Sequence, residues 1–418
     1  MVRAAYRDRQ ALARESRVNH TSAVKAAARE AIDAAAATLF DISAKMHAEV
    51  ELAFEEVKAQ AWQCAALRDA GFAVEEGLGS LKTAFRATMR SNRPGLRVAF
   101  LCEYDGLPVY GQSCGHNVVA AAGVGAAIGL AQVIERIGGE VVALGTPGEE
   151  GGGGKNILHR EGFFDGIDAM MLIYPGMDTI VHSRTVGATR VQFAYFGKAA
   201  HAAARPELGI NALDAMLLAF NGIAALRQQL PSEVRVHGII TKGGTLPQVI
   251  PDHTTGVLTV RANDAATLDS VIPRIDACLT GAALMTGARL ERTWRDKPGR
   301  ALLSNLALAQ SFERNVQALG RPTQPRDELS GAWSGDTGNV SWFVPTIQPQ
   351  MAMTGRDAPP HSHEFHSASI GPAADACILD AAKAMAITAI DLISDKTLLA
   401  AVKAEFAAAI GEGRAWPP

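Results

Sequence analysis

The sequence predicts an α/β protein in which helices flank a mostly parallel sheet and a smaller two-layer α+β domain is inserted into the chain. Up to about residue 186, short apolar stretches alternate with helical stretches, which is the order of a parallel sheet covered on both faces. From residue 187 to 300 the predicted strands alternate between apolar and polar residues, as in a half-exposed sheet. The 418 residues also exceed the size of a single core. We therefore expect a main domain formed by residues 1–186 and 301–418 around an inserted domain at 187–300.

The first part of the main domain contains one or two amphipathic helices in residues 22–72, followed by three strands that alternate with helices. The strands are LRVAFLCEYD (96–105), EVVALGTPG (140–148) and DAMMLIYPG (168–176), and the helices between them are 117–138 and 155–162. Ligands bind at the carboxyl ends of the strands in such sheets. The segments CEYDGLP, GTPGEE and IYPG are therefore expected to converge on one pocket.

The inserted domain follows the order β, α, β, β, α. Its elements are TRVQFAYFG from residue 189, NALDAMLLAFNGIAALRQQL from 211, VRVHGIIT from 234, TTGVLTVRA from 254 and TLDSVIPRIDACLTGAAL from 267. The main domain then resumes and ends with a long Ala-rich helix near 372–394 and a loose tail, EGRAWPP.

The composition argues against several classes of protein. Hydrophobic residues make up 48% of the chain and the net charge is only −3, which argues against a disordered chain and a nucleic-acid binder. The charged segment MVRAAYRDRQALARESRVNH lacks the apolar core of a signal peptide, and no stretch of about 18 apolar residues predicts a membrane span. Five scattered cysteines suit a reducing compartment. We expect a cytoplasmic protein.

Cys114 and His116, in VYGQSCGHN, are candidate metal ligands. They lie two positions apart just before a predicted helix, and a thiolate with an imidazole suits zinc, cobalt or manganese better than magnesium. The alternative is a buried cysteine beside a histidine that caps the helix.

Glu149 and Glu150 follow a predicted strand and precede four glycines. Adjacent carboxylates need a positive group between them, and glycine allows the backbone to approach a ligand closely. One glutamate would bind a metal and the other would act as general base toward a water on that metal. The alternative is a solvated acidic turn.

Histidines occur in two further segments. HSHEFH, residues 361–366, is a short His-rich tract of the kind that binds metals, although a flexible surface loop is the alternative. His201 in AHAAARPELG lies in the inserted domain, where a lone histidine is more often structural.

Taken in order, these segments resemble the metallopeptidase family of aminoacylases, carboxypeptidase G and carnosinase. Within it, the chain is similar to the branch of p-aminobenzoyl-glutamate hydrolase and the aminoacylase-1-like β-alanyl-dipeptide hydrolases. The resemblance runs from about residue 45 to residue 400. It rests on EYDGLPVYGQSCGHN, GTPGEEGGGGK, FGKAAHAA with GINALDA, GGTLPQVIPD, SGDTGNVS and HSHEF.

The resemblance implies a metal-dependent C–N hydrolase with a catalytic main domain and an inserted lid or dimerisation domain. It implies Cys114, His116, Glu150 and His361 as metal ligands and Glu149 as general base. The metal would be a divalent manganese, zinc or cobalt ion.

The resemblance also implies a role for the inserted domain in catalysis. His201 would reach across a dimer interface and stabilise the oxyanion in the neighbouring subunit, which is usually a large catalytic effect. The protein would then be a homodimer or a higher homo-oligomer that acts on a small-molecule substrate.

Three positions depart from the family pattern. Gln112 replaces a histidine, Gln248 replaces a substrate-binding asparagine, and Tyr174 replaces a histidine that serves as the fifth metal ligand. A neutral phenol is a poorer ligand than an imidazole. The departure at Tyr174 therefore predicts a reduced, mononuclear metal site, and whether His182 supplies the missing ligand is left open.

Family members cleave a C–N bond next to a carboxylate-bearing group, so an N-acyl amino acid, an aminobenzoyl-amino acid or a dipeptide is the expected substrate. Arg205, Arg356 and Lys198 are candidates to bind its carboxylate, together with Gln248 and Tyr174 in the substrate pocket. Each cation is otherwise a surface charge or part of an interface ion pair. The alternative reaction is hydrolytic deamination of an aminoaromatic acid, as in the relative 5-nitroanthranilic acid aminohydrolase. A protein that retains only metal binding is a third alternative.

Overall fold

A computed structural model describes most of the chain as two compact units. The described residues are 21–295, 299–325 and 333–411. Among these, the main unit contains 21–184, 303–325 and 335–411, and the inserted unit contains 185–295, 299–302 and 333–334. The charged N-terminal segment and the EGRAWPP tail lie outside the described residues. No helix in the described ranges is both long and apolar enough to cross a membrane.

Strands and helices alternate through the main unit and again through the inserted unit. In chain order, the strands are β1 (Ala73–Leu78), β2 (Leu81–Arg90), β3 (Arg97–Cys102), β4 (Glu140–Gly145), β5 (Ala169–Met171), β6 (Tyr174–Gly176), β7 (Gly187–Phe196), β8 (Arg235–Lys242), β9 (His253–Ala262), β10 (Arg289–Trp294), β11 (Thr346–Ile347) and β12 (Gln350–Ala352). The helices are α1 (21–34), α2 (Ala36–Ala48), α3 (Val57–Asp69), α4 (His116–Ala131), α5 (Ile134–Ile137), α6 (Gly154–Arg160), α7 (Ala212–Leu226), α8 (Ala265–Thr286), α9 (Leu306–Ala318), α10 (Thr337–Val340), α11 (His363–Ala368), α12 (Pro372–Ser394) and α13 (Lys396–Gly411).

The main unit is built on a mixed sheet with the strand order β1-β2-β4-β3-β5-β11. The pairs β4–β3, β3–β5 and β5–β11 are parallel, whereas β1–β2 and β2–β4 are antiparallel. Both faces of the central strands are buried. On β3, Val98 and Phe100 pack into a core with α4 and α12, while Ala99 and Leu101 pack into a second core with Leu158 of α6. This arrangement confirms the predicted fold class.

Two features of the main unit differ from the sequence expectation. The hairpin β1–β2 was not predicted, because its first strand is largely exposed and lacks a continuous apolar run. The predicted strand 168–176 is broken into β5 and β6, and β6 pairs with β12 in a separate two-stranded parallel sheet. The break places Tyr174 at the start of β6.

The inserted unit is a two-layer α+β domain. Its antiparallel sheet has the order β10-β7-β9-β8, and α7 and α8 pack against one face through a core that includes Val191, Ile223 and Leu279. Strand β10 was absent from the predicted order. Strand β8 forms one edge of the sheet, and its residues from His237 to Lys242 are exposed.

Candidate metal centre

The carboxyl ends of β3 and β4 are joined by one buried carboxylate. Asp105 follows β3, and its two oxygens accept hydrogen bonds from the backbone N–H groups of Glu149 (3.1 Å) and Glu150 (2.8 Å), which follow β4. Burial alone would raise the pKa of Asp105, but His116 and these N–H groups outweigh burial and lower it. Asp105 therefore stays ionised and fixes the backbone of the Glu149–Glu150 pair.

His116 is positioned by the start of α4. Gly115 adopts the left-handed conformation before the helix, and the side-chain oxygen of Gln112 accepts a hydrogen bond from the backbone N–H of Asn117 (3.1 Å). Nδ1 of His116 lies 2.8 Å from the backbone carbonyl oxygen of Asp105. Because a carbonyl only accepts hydrogen bonds, Nδ1 carries the hydrogen. In the neutral ring, Nε2 is then free to act as a ligand.

Three oxygen atoms surround this Nε2 atom. They are Oε2 of Glu103 at 3.3 Å, Oη of Tyr174 at 3.4 Å and Oε2 of Glu149 at 3.9 Å. Burial opposes a positive charge on His116, but Asp105, Glu103 and other nearby carboxylates outweigh burial and raise the pKa of His116 well above its usual range. The surroundings of Nε2 therefore favour a positive charge.

The potential ligand atoms form two clusters that share Glu150. The inner cluster contains His116, Glu149 and Glu150, and the outer cluster contains Cys114, Glu150 and His361; within each cluster the atoms lie within 4.8 Å of one another. In the outer cluster, Nε2 of His361 lies 2.8 Å from Sγ of Cys114 and 3.9 Å from Oε1 of Glu150. The structure thus brings together the five predicted residues from three separate segments of the chain.

The two clusters contain more acidic groups than basic ones. Burial, followed by Glu103 and Glu150, raises the pKa of Glu149 well above its usual range, and burial with Glu150 and Glu149 does the same for Cys114. Oε1 of Glu150 is buried and has no hydrogen-bond partner among the described residues. Nitrogen, oxygen and sulfur donors among an excess of acidic groups fit a divalent transition metal.

A buried ion pair lies next to the inner cluster. Nζ of Lys155, at the start of α6, lies 2.6 Å from Oε1 of Glu103 and 2.6 Å from Oδ1 of Asp336, and the Lys155 side chain is fully buried. The other oxygen of Asp336 accepts the backbone N–H of Lys155 at 2.9 Å. Burial opposes the charge on Lys155, but Asp336 and Glu103 outweigh burial and raise its pKa. Lys155 is therefore a fixed ammonium group.

Sequence reasoning assigned no role to four residues of this centre. They are Glu103, Asp105, Lys155 and Asp336. Signals for them existed, since Glu103 and Asp105 lie in CEYDGLP after a strand, Lys155 directly follows the four glycines, and Asp336 lies in SGDTGNVS. Their pairing could not be read from these segments, because Lys155 and Asp336 are 181 positions apart.

Two glycines of the run 151–154 have a packing role that was not expected. A Cβ atom at Gly154 would lie 1.8 Å from the carbonyl oxygen of Pro147, and one at Gly152 would lie 2.6 Å from the ring of Phe54. These two positions are therefore required for packing of the loop against its own backbone and against Phe54. That the glycines also serve close approach to a ligand stays a prediction.

The remaining candidates of the main unit lie in different surroundings. Tyr174 is at the inner cluster, and burial followed by Glu103 and Glu149 raises its pKa well above the usual range, so it stays a neutral phenol. Nε2 of His182 pairs with Glu313 at 3.2 Å, which gives it a partner outside both clusters. The exposed Arg356 lies 3.6 Å from Asp178.

The inserted unit contains the other candidates. Nδ1 of His201 accepts hydrogen bonds from the backbone N–H groups of Ala203 and Ala204, both at 3.2 Å, so Nε2 is the hydrogen-bearing nitrogen of the ring. The backbone carbonyl of Gln248 accepts the N–H of Ala202 at 3.0 Å. Arg205 is exposed and lies 3.6 Å from Glu207.

Relatives of known activity match nearly the whole chain. The chain is 37% identical to a mouse (Mus musculus) Xaa-Arg dipeptidase over 399 residues, which cover 92% of each protein. It is 28% identical over 445 residues to a p-aminobenzoyl-glutamate hydrolase subunit from Escherichia coli (strain K12), covering 88% of this chain and 92% of that protein. Residues 184–284 match a family model described as a peptidase dimerisation domain.

A solved structure shares the same fold. A Bacillus subtilis protein described as a dinuclear metal binding peptidase from the M20 family superposes with a TM-score of 0.66 at 19% identity, covering 86% of this chain and 99% of that one. The match in fold, and the 37% identity to the mouse dipeptidase over nearly the whole chain, agree with the resemblance that the sequence motifs indicated. The chain therefore belongs to the M20 peptidase family and is a hydrolase of that family.

Proposed function

We propose that the protein hydrolyses a C–N bond in a small carboxylate-bearing substrate, namely a dipeptide, an N-acyl amino acid or an aminobenzoyl-amino acid. The observation that supports this most is the pair of clusters that share Glu150 at the carboxyl ends of β3 and β4. The named activities of the mouse and Escherichia coli relatives support the substrate class.

Cys114, His116, Glu150 and His361 are the proposed metal ligands. A bound manganese, zinc or cobalt ion would supply Lewis acidity and lower the pKa of a coordinated water toward about 7. Glu150 belongs to both clusters, which suits a shared ligand, whereas Glu149 belongs to the inner cluster alone. We assign Glu149 as the general base that accepts a proton from the attacking water and transfers it to the leaving nitrogen.

His201 is the proposed oxyanion donor. With Nδ1 occupied by two backbone N–H groups, its Nε2–H can donate a hydrogen bond to developing negative charge without a change of tautomer. We propose that it acts in the active site of a second subunit. The match to a dimerisation domain supports a homodimer, and so does the exposed edge strand β8, where Ile239 is 63% exposed.

The substrate carboxylate requires a cation, and Arg205 and Arg356 are the proposed candidates. Both are exposed, and each has only a loose acidic neighbour at 3.6 Å, so either can exchange that neighbour for a substrate. Gln248 and Tyr174 are proposed as further substrate contacts.

One observation favours a second candidate reaction. The Tyr174 ring meets the His116 ring edge-on, with centroids 5.8 Å apart, and this places an aromatic surface beside the inner cluster. Such a surface suits an aminoaromatic acid, for example 5-nitroanthranilate, from which water would displace ammonia.

The leaving group distinguishes the two reactions. The manganese-loaded protein is incubated with β-alanyl and Xaa-Arg dipeptides, N-acyl amino acids and aminobenzoates, and free amino acid and free ammonia are assayed separately. Release of amino acid supports the proposal. Ammonia from aminobenzoates alone overturns it in favour of deamination. No turnover with manganese, zinc or cobalt would indicate a protein that retains only metal binding. The Glu149→Gln variant, purified in parallel, controls for contaminating hydrolases.

A further inference from the structure

Glu103 is a buried carboxylate, and one of its two oxygens has no hydrogen-bond partner among the described residues. Its side chain is fully buried, and Oε1 lies 2.6 Å from Nζ of Lys155. Oε2 lies 3.3 Å from Nε2 of His116 and has no hydrogen-bond partner among the described residues. Burying a polar atom without a partner is costly, so Oε2 of Glu103 favours a positive charge on the side that His116 faces, either a proton on Nε2 or a metal ion.

The nitrogen that faces this oxygen cannot supply a hydrogen bond in the neutral ring. Nδ1 of His116 carries the hydrogen, because it lies 2.8 Å from the carbonyl of Asp105. Nε2 and the Glu103 oxygen are then two acceptors that face each other. Two ligand atoms that each lie about 2.1 Å from one ion are about 3.0–3.4 Å apart. The observed 3.3 Å falls in that range.

Tyr174, which replaces a histidine of the family pattern, lies next to the same nitrogen atom of His116. Its Oη lies 3.4 Å from the same Nε2 atom, so the tyrosine that departs from the family pattern lies at the inner cluster. Glu103, in contrast, is a carboxylate, which is a far better ligand than a neutral phenol.

We infer that Glu103 is an additional metal-holding residue, and that its Oε2 replaces the ligand that Tyr174 does not provide. The inference rests on the proposed function, because it presupposes a metal ion in the inner cluster. Lys155 acts as a positioning residue. Its ammonium group, fixed by Asp336, holds Oε1 of Glu103 and so directs Oε2 toward His116.

The test is cobalt binding to the metal-free protein and its Glu103→Gln variant. Calorimetry measures affinity and stoichiometry, while the visible absorption of cobalt–thiolate bonds reports separately on Cys114 in the outer cluster. We expect Glu103→Gln to weaken binding at the inner cluster at least tenfold and to leave the thiolate band in place. Adding Tyr174→His to that variant should restore the affinity, because an imidazole then fills the same position.

Each outcome decides a different question. Equal affinity and stoichiometry in Glu103→Gln overturns the inference, and so does a loss that Tyr174→His does not restore, since Glu103 would then serve only Lys155. Absence of cobalt binding in the unaltered protein instead refutes the proposed function. Glu56→Gln is the matched control, because both oxygens of this buried carboxylate already accept hydrogen bonds, from Gly148 and Thr83. If Glu103→Gln does not fold, Glu103→Asp, whose oxygens are withdrawn from His116, is judged by the same criterion.

Discussion

The inner and outer clusters share Glu150 but are built very differently. His116 in the inner cluster is fully buried, and its ring is held by Asp105, which also fixes the backbone of Glu149 and Glu150. His361 in the outer cluster is 59% exposed and has a positive φ of 65°, which is rare for a residue with a side chain. One half of the centre is therefore preorganised by buried charge, while the other half is supplied by a loop.

This difference predicts that the two clusters bind a metal ion with different affinities. A preorganised donor set needs little rearrangement when a metal binds, whereas a loop ligand loses conformational freedom at that step. We therefore expect a metal ion to bind more tightly at the inner cluster than at the outer cluster. Substitutions of the cluster residues, and of the residues that hold them in place, test this expected difference in affinity.

The largest expected effect distinguishes the two adjacent glutamates. Glu149→Gln should lower kcat by about 10²–10⁴-fold, because a positioned general base contributes a factor of that size, and metal binding should be largely retained. Glu150→Gln should instead impair metal binding at both clusters, because Glu150 is the shared residue. Steady-state kinetics and metal stoichiometry are measured for both variants. If Glu149→Gln lost the metal and kept its activity, the assigned roles would be exchanged.

A smaller effect is expected from the residue behind the inner cluster. Asp105→Asn should weaken metal binding at the inner cluster by about 10–100-fold, as loss of a residue that orients a ligand usually does. The neutral amide weakens the contact of side-chain Oδ1 with Nδ1 of His116, at 3.3 Å in the unaltered protein, and the hydrogen bonds from the backbone N–H groups of Glu149 and Glu150. Calorimetric titration of the metal-free variant checks this.

The control for Asp105→Asn is Asp178→Asn. Asp178 is an acidic residue of the same unit whose neighbour is the exposed Arg356. Its substitution should leave the affinity unchanged. If both variants bound metal equally well, Asp105 would not act through His116, and the preorganisation of the inner cluster would have another source.

The sequence predicted the candidate ligands and the general base of this centre, but not the residues that hold them in place. Cys114 and His116 were found from their spacing just before a predicted helix, and Glu149 and Glu150 because they follow an apolar strand, whose carboxyl end is where ligands bind in such a sheet. His361 was found from a His-rich tract and from the family resemblance. These signals are local, and the structure brings the five residues together.

The support was not predicted because it depends on pairs that are distant in sequence. Lys155 and Asp336 look like an ordinary helix-start lysine and an ordinary turn aspartate until the fold buries them 2.6 Å apart. The packing of Phe54 against the glycine run could not be predicted either, since Phe54 lies in a separate segment before α3. Local patterns identify polar residues at strand ends, whereas only the tertiary structure shows which of them form buried pairs.

The loop that supplies His361 continues into a histidine pair. The ring of His366 on α11 stacks on that of His47, with centroids 4.1 Å apart, and Nδ1 of His366 accepts the backbone N–H of Gln112 at 3.0 Å. Burial, followed by the charges of His47 and His363, lowers the pKa of His366. The segment behind the outer cluster is therefore sensitive to protonation.

The smallest predicted effect follows from this lowered pKa. Because the folded-state pKa of His366 lies below the unfolded value of about 6.5, the unfolded chain takes up a proton first as the pH falls. The contribution to stability is thus complete above about 6.5 and is lost as the pH falls toward the folded-state pKa. His366→Asn retains an acceptor for Gln112 and should reduce the loss of Tm between pH 8 and pH 5.5, measured in chelator so that metal release does not contribute. At pH 8 residue 366 is uncharged in both proteins, so any difference in Tm between the variant and the unaltered protein reports lost packing rather than protonation. An unchanged pH dependence in the variant would show that other groups govern the acid sensitivity of the outer cluster.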